Sequence, residues 1–215
     1  MDSTHNPFGG RMSGFVGQSH EPVHWIAFDI ESVLDPTELD KDPEQPGRGW
    51  ARLRKGEGGI SIAVTWDSLS QEYDLFDGHT TFELIEKLES FPVVAVYSKQ
   101  FDIPFLEGWC GRSLNLPQVI DPLDWLRAHY GKPTRGTKLT QIAEWTLGEG
   151  KDAHSTGAAA PGLFAQGRLA ELVRYCKADV QLLRDLIYHV REHEFLHGPD
   201  GRVDIKLPPW MKDLA

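Results

Sequence analysis

Cysteine is scarce in this sequence. Two in 215 residues, Cys110 and Cys176, cannot build a disulfide framework, and each lies inside an apolar segment. They read as free, buried thiols kept reduced, which points to the cytoplasm. A run of 18 apolar residues is missing, so no membrane-spanning helix is expected. The N-terminus lacks a basic stretch leading into an apolar one, so no signal peptide is expected. Positive charge is in deficit too. The 22 lysines and arginines stand against 32 acids, for a formal net charge of −10. That balance argues against a protein that grips nucleic acid over its whole surface. It leaves room for one that binds a short strand locally, with bound cations helping. No internal repeat or dividing linker is visible. A chain of this length can bury roughly 70% of its unfolded surface as one domain, without staples.

What the chain does contain can be taken in order. Residues 1–20 are rich in Gly and Ser and read as a flexible N-terminal arm. Residues 23–32 read as a first strand, and 35–58, rich in Asp, Pro, Gly and Arg, as a long loop. Ile60, Ile62, Val64 and Trp66 alternate, then Tyr73 and Leu75, across a short connection that predicts an antiparallel hairpin. Thr80 or Thr81 opens a helix carrying Phe82, Leu84, Ile85 and Leu88. A buried strand follows at 92–97. Asp102 sits where the next helix would start, with Pro104 in its first turn. Val119-Ile120 is a short strand ending at Asp121-Pro122, the cap and first residue of another helix. Residues 138–147 are helical by pattern, ended by Gly148 and Gly150. Residues 157–167 form a small helix or turn, and 168–195 the longest helix. Residues 198–215 look like an extended C-terminal tail, leaving 21–197 as the folded domain. Three strands, helix, strand, helix, strand, then helices predict a mixed sheet with helices packed on its faces, an α/β domain.

Four acids stand out. In Phe28-Asp29-Ile30-Glu31 two carboxylates lie one residue apart on an apolar strand. Residues i and i+2 of a strand share a face, so Asp29 and Glu31 project together. Either a divalent cation with oxygen ligands neutralises them, or the strand is an edge with one wet face. Asp102 follows a buried strand in Phe101-Asp102-Ile103-Pro104-Phe105-Leu106. The last helix carries Tyr175-Cys176-Lys177-Ala178-Asp179, which puts Tyr175 and Asp179 on one face.

These three motifs, in this order and on these elements, resemble those of the DnaQ-like 3′–5′ exonucleases of the ribonuclease H fold, the DEDD superfamily. Asp-x-Glu on the first strand, Phe-Asp at a helix start and Tyr-x-x-x-Asp on a late helix define the tyrosine, or DEDDy, subgroup. The resemblance runs over about residues 23–195. The stretches KLTQIAEWTLGEG and YCKADVQLLRDL look like the bacterial YprB-type branch. One position departs: many relatives carry Asn five residues before the second-motif acid, and this chain has Tyr97. That puts local substrate contacts in doubt.

The resemblance implies a ribonuclease H-like mixed five-stranded sheet, three antiparallel strands then parallel strands, with helices on both faces. It implies a two-metal-ion hydrolysis of phosphodiester bonds at single-stranded DNA or RNA 3′ ends, releasing nucleoside 5′-monophosphates. The cofactors would be two divalent cations, Mg²⁺ or Mn²⁺. Asp29 would be shared between them, Glu31 and Asp179 would hold the one that activates water, and Asp102 the other. Tyr175 would orient the attacking water. Ser32, Phe101, Lys138 and Lys151 are candidate nucleic-acid contacts. The rival reading is a non-catalytic nucleic-acid-binding or scaffold module of a repair or replication assembly, recruiting a helicase or polymerase. A third reading makes the chain one subunit of such an assembly.

Other features have plainer readings. His189, His193 and His197 recur every four residues and are expected on a solvated face near a helix end. Asp121 is expected as a helix cap, with a place lining the cleft as the alternative. Arg48, Arg52, Arg54 and Lys55, with Lys132, Arg135 and Lys138, are either phosphate contacts or ordinary solvated loop charge. Trp50 and Trp66 are candidates for base stacking. Trp25, Trp109, Trp125 and Trp145 fall at apolar-face positions and are expected in the core.

Overall fold

The computed structural model describes residues 21–42, 44, 46–131, 137–148 and 160–215. The arm at 1–20, Lys132, Arg135 and Lys151 lie outside them. Five strands, β1 (Trp25–Ser32), β2 (Ile60–Asp67), β3 (Tyr73–Phe76), β4 (Val93–Ala95) and β5 (Gln118–Ile120), form one mixed sheet in the order β3-β2-β1-β4-β5. β1 pairs antiparallel with β2, and β2 with β3. β1 pairs parallel with β4, and β4 with β5. This is the sheet the sequence implied.

Eight helices are described, α1 (Pro36–Leu39), α2 (Gly49–Leu53), α3 (Thr81–Glu89), α4 (Lys99–Cys110), α5 (Pro122–Tyr130), α6 (Leu139–Leu147), α7 (Ala160–Ala165) and α8 (Leu169–His193). The pleat of β1 sorts them onto two faces. Ile26, Phe28 and Ile30 pack with Leu84 and Leu88 of α3 and with Phe105 and Leu106 of α4. Trp25 and Ala27 point the other way, into a cluster with Leu172, Cys176, Val180 and Leu183 of α8. These α8 residues recur at helical spacing, so one stripe of a 25-residue helix is buried on the sheet. The next two residues of β1 on the α8 side are Asp29 and Glu31.

Between Glu31 and Ser32 the pairing with β2 slips by one residue. Glu31 lies opposite Ile62 and Ser32 opposite Ile60. Ser61, the residue passed over, donates its hydroxyl to the Glu31 carbonyl at 2.9 Å. A bulge of this kind bends the strand and re-aims its side chains.

Several expectations need correction. Residues 35–58 are not one loop but carry α1 and α2. Asp35 caps α1, its carboxylate accepting from the Glu38 N–H at 2.8 Å. Asp102 is the fourth residue of α4 rather than its cap, because the helix begins earlier, behind Ser98 at φ 78°. Thr80 marks the start of α3 without a side-chain capping bond. Trp66 is buried between β2's neighbours, while Trp145 is 40% exposed, the reverse of the expected roles. Cys176 is buried but Cys110 only partly so.

The C-terminal stretch is more structured than a tail. β6 (Phe195–Gly198) and β7 (Gly201–Asp204) make an antiparallel hairpin, and Pro209–Asp213 turns once as a 3-10 helix. Val203 and Ile205 join Leu186 and Val190 of α8 and Ile142 of α6 in a third core cluster. The chain then returns to β1, where the Val23 N–H donates to the Asp213 carbonyl at 2.7 Å.

The three histidines lie beside this hairpin, with His193 exposed as expected and His189 and His197 half-buried. His189 and His193 have ring centroids 4.6 Å apart, and Phe195 lies edge-on to His189 at 4.7 Å. His197 Nδ1 is 2.9 Å from the Trp145 carbonyl. Arg202 lies 4.0 Å over the Phe195 ring. Burial first, then the charges of His193 and His197, lower the pKa of His189 below 6.5. The unfolded chain therefore takes up this proton before the folded one. Folded stability is expected to be highest above the ordinary histidine value and to be lost as pH falls toward the lowered one. Thermal melts between pH 8 and pH 5 check this: the loss should shrink in His189→Gln.

Candidate metal centre

Sequence-distant elements deliver the acids to one place. β1 supplies Asp29 and Glu31, and α8, lying across β1 and β2, supplies Asp179. Ligand oxygens of these three residues lie within 4.8 Å of one another. Asp179 occupies a position in the buried stripe of α8 that would otherwise be apolar, and it is only 9% exposed. Tyr175, one turn earlier on the same face, donates its hydroxyl to the Asp179 carboxylate. Burial, then the charges of Asp179, Glu31 and Asp29, push its phenol far above the usual tyrosine range. The phenol is thus held as a hydrogen-bond donor.

Asp102 stands outside that 4.8 Å group but within its field. It is 4% exposed. Burial, then the charges of Asp29 and Asp121, raise its pKa well above an ordinary carboxyl. β4 runs parallel beside β1 and hands the chain on through Val96-Tyr97-Ser98 into α4, so Asp102, in the first turn of α4, comes within the field of Asp29.

Two further residues support this arrangement, Cys176, to which the sequence assigned no role here, and Asp121. Cys176 is fully buried behind Asp29, its thiol 3.3 Å from Asp29 Oδ2 and 3.5 Å from the Asp29 carbonyl. Burial and then the Asp29 charge push the thiol well above its usual range, so it remains an S–H that can donate to the carboxylate. Its position beside Tyr175 was the only sequence signal for this. Asp121 does cap α5, accepting from the Leu123 N–H at 3.0 Å. The same carboxylate also accepts from the Ser98 N–H at 3.1 Å and the Lys99 N–H at 2.9 Å. One buried acid thus caps two helices, and the second is the helix that carries Asp102.

Of the remaining candidates, Ser32 follows Glu31 on β1 and Phe101 precedes Asp102 on α4. Ser32, at the bulge, turns its hydroxyl to the Leu34 carbonyl at 2.8 Å. Phe101 is half-buried against Phe105 and Trp50. Lys138 is exposed just before α6. Tyr97 donates its hydroxyl to the Thr137 carbonyl at 2.5 Å. That side chain anchors the segment that leads into α6.

The donor set suits a hard divalent cation. All the donors are carboxylate oxygens, and their shared negative charge raises every neighbouring titratable group that the site shifts, which a cation would offset. Asp29, Glu31 and Asp179 could hold such an ion. Among the described residues no helix is long and apolar enough to cross a membrane. No curated protein matches the chain. The family profile of the RNase H superfamily matches residues 62–191, which include Asp102, Tyr175 and Asp179 but begin after Asp29 and Glu31. That match spans more than half of the sequence and agrees with the mixed sheet and its flanking helices, so the chain belongs to the RNase H superfamily.

Proposed function

We propose that this chain is a metal-dependent 3′–5′ exonuclease of the DEDDy subgroup of DnaQ-like enzymes, in the YprB-type branch. Membership of the RNase H superfamily supports a nuclease-type activity. The observation that carries the finer reading is the meeting of Asp29, Glu31 and Asp179, with Tyr175 bonded to Asp179.

Each residue then has a task. Asp29 would be the ligand shared by two cations, with Glu31 and Asp179 holding one and Asp102 the other. Divalent cations bound there, Mg²⁺ or Mn²⁺, would supply charge neutralisation on the phosphate and a more acidic attacking water. Tyr175 directs that water with its hydroxyl. The high proton affinity of its phenol makes it a positioning group rather than the base. Cys176 fixes the orientation of the Asp29 carboxylate from behind, as partners of metal ligands do.

The test is a panel of 5′-labelled single-stranded DNA, single-stranded RNA and recessed duplexes, with Mg²⁺, Mn²⁺ or EDTA. The expected result is a ladder shortening from the 3′ end that EDTA abolishes. Internal cleavage products would contradict the reading. In the same assay under single-turnover conditions, Tyr175→Phe is expected to slow hydrolysis about tenfold or more. An unchanged rate would remove Tyr175 from the mechanism.

A further inference from the structure

Between β1 and β2 the chain makes an excursion, residues 33–59, that lies outside the stretch matched by the RNase H family. It leaves the sheet directly after Glu31 and Ser32. Its two ends are laced together by Val33 N–H to the Gly59 carbonyl at 2.9 Å and Leu34 N–H to the Gly58 carbonyl at 3.1 Å. Its far side reaches Phe101, the neighbour of Asp102. The excursion therefore links the β1 end of the candidate metal centre to the α4 end.

Its interior is firmly tied. Arg52 turns inward and bonds the Leu39 carbonyl at 3.1 Å, Asp42 at 2.8 Å and Glu57 at 2.6 Å. Leu53 is buried beneath it. α2 sits so close to α1 that a Cβ on Gly49 would lie 1.9 Å from the Pro36 carbonyl oxygen, and a Cβ on Gly108 of α4 would lie 2.3 Å from the Lys55 backbone. Any side chain at either place would force the excursion off its support.

Its outer surface combines an exposed aromatic ring with basic side chains. Trp50 is 59% exposed, held edge-on by Phe101 with ring centroids 5.9 Å apart. Arg48 and Arg54 cap the two ends of α2, and Lys55 follows. All three are exposed, and none forms an ion pair with a described residue. In a chain of net charge −10, the run from Arg48 to Lys55 holds four basic residues and no acid, so the exposed indole is flanked by a local concentration of positive charge. A fixed aromatic face with nearby cations is the combination that binds single-stranded nucleic acid without sequence preference, since every base has a π-face and every nucleotide a phosphate.

We propose that residues 33–59 form a shelf for single-stranded nucleic acid, with Trp50 stacking on a base and Arg48, Arg54 and Lys55 contacting phosphates of the same strand. The proposal rests on the reading that the acids act on nucleic acid. The shelf supplies the local grip that the acidic surface as a whole does not. Arg52 takes no part, because its charge is already used inside the excursion.

The test measures binding apart from cleavage. Fluorescence anisotropy of a 5′-labelled single-stranded oligothymidylate is titrated with the full chain in EDTA, where metal-dependent hydrolysis cannot occur. Trp50→Ala is expected to weaken binding about tenfold or more, and Trp50→Phe, which keeps a ring, by a smaller factor. Replacing Arg54 and Lys55 together by Ala should make the slope of log affinity against log salt shallower by about 1.4, the value for two lost phosphate contacts on a single strand. Equal binding by wild type and Trp50→Ala, or no binding by wild type, overturns the shelf whether or not the chain cleaves DNA. Binding that depends on Trp50 in a chain that cleaves nothing with Mg²⁺ keeps the shelf and overturns the exonuclease reading instead.

Discussion

Asp29→Asn is expected to abolish metal-dependent cleavage, by about 10³-fold or more, while making the cation-free protein more stable. The two effects share one cause. Asp29 meets Glu31 and Asp179 within 4.8 Å, and its charge is the largest ionic influence on Asp102. Removing that charge relieves repulsion among the acids. It also removes the ligand on which the proposed pair of cations depends, and a loss of about 4 kcal/mol of transition-state stabilisation corresponds to that fall in rate. The gel assay reads the first effect and a thermal melt in EDTA the second. The melt should also carry a pH signature. Asp102 has a folded pKa raised above its unfolded value, so its contribution is fully present at low pH and is lost as pH rises through the raised value. Asp29→Asn should lessen that loss. Full activity in Asp29→Asn would sink the proposed mechanism, whatever the melt shows.

Asp121→Ala should cost stability out of proportion to the size of the change. The substitution strips the acceptor from three buried or partly buried N–H groups at once, on Ser98, Lys99 and Leu123. Each lost bond leaves a donor unsatisfied, and the sum is about 2–4 kcal/mol after partial compensation by water. In a chain of this size that lowers the melting temperature by roughly 5–15 °C. The loss should reach the site as well. Ser98 is held at φ 78° by the Asp121 carboxylate, and α4 takes its direction from that residue. Once α4 shifts, Asp102 moves with it, and activity should fall further than unfolding alone accounts for when both are measured well below the melting temperature. Asp121→Asn is the milder probe. Ser98 and Leu123 bond the same oxygen, which the amide retains, while the Lys99 N–H would meet an amide nitrogen. A melting temperature for Asp121→Ala equal to wild type would show that the double cap contributes nothing.

The framework was legible where periodicity was long enough to read. β1, β2 and α8 span 8, 8 and 25 residues, and their apolar patterns specify both type and facing. The alternation in β1 placed Asp29 and Glu31 on one face, and the helical spacing of Tyr175 and Asp179 placed them on one side of α8. What the sequence alone did not yield was short or non-local. α1 and α2, of 4 and 5 residues, contain too little chain to register a period, and their Pro and Gly content reads as loop. The β6–β7 hairpin did leave a signal, Pro199-Asp200-Gly201, a common turn sequence that went unread because the flanking strands are only four residues each. Trp66 was misjudged because β2 is buried along both faces, so alternation there says nothing about exposure. The second cap of Asp121 joins residues 22 positions apart and left no local signal, and the thiol of Cys176 behind Asp29 left only its place beside Tyr175.

The separation between Cys176 and Asp29, 147 positions, has a kinetic side. The carboxylates of β1 and α8 become neighbours only after almost the whole intervening chain has closed its loops, the slow part of assembling a mixed sheet. Early collapsed forms can hold local helix and hairpin but lack the set of oxygens that would retain a divalent ion. Under the proposed reading, a cation therefore binds the finished fold and little else. It shifts the equilibrium by mass action on the native state. Contacts formed late in assembly act mainly on the rate of unfolding, so the ion would set how long the native chain persists more than how quickly it forms.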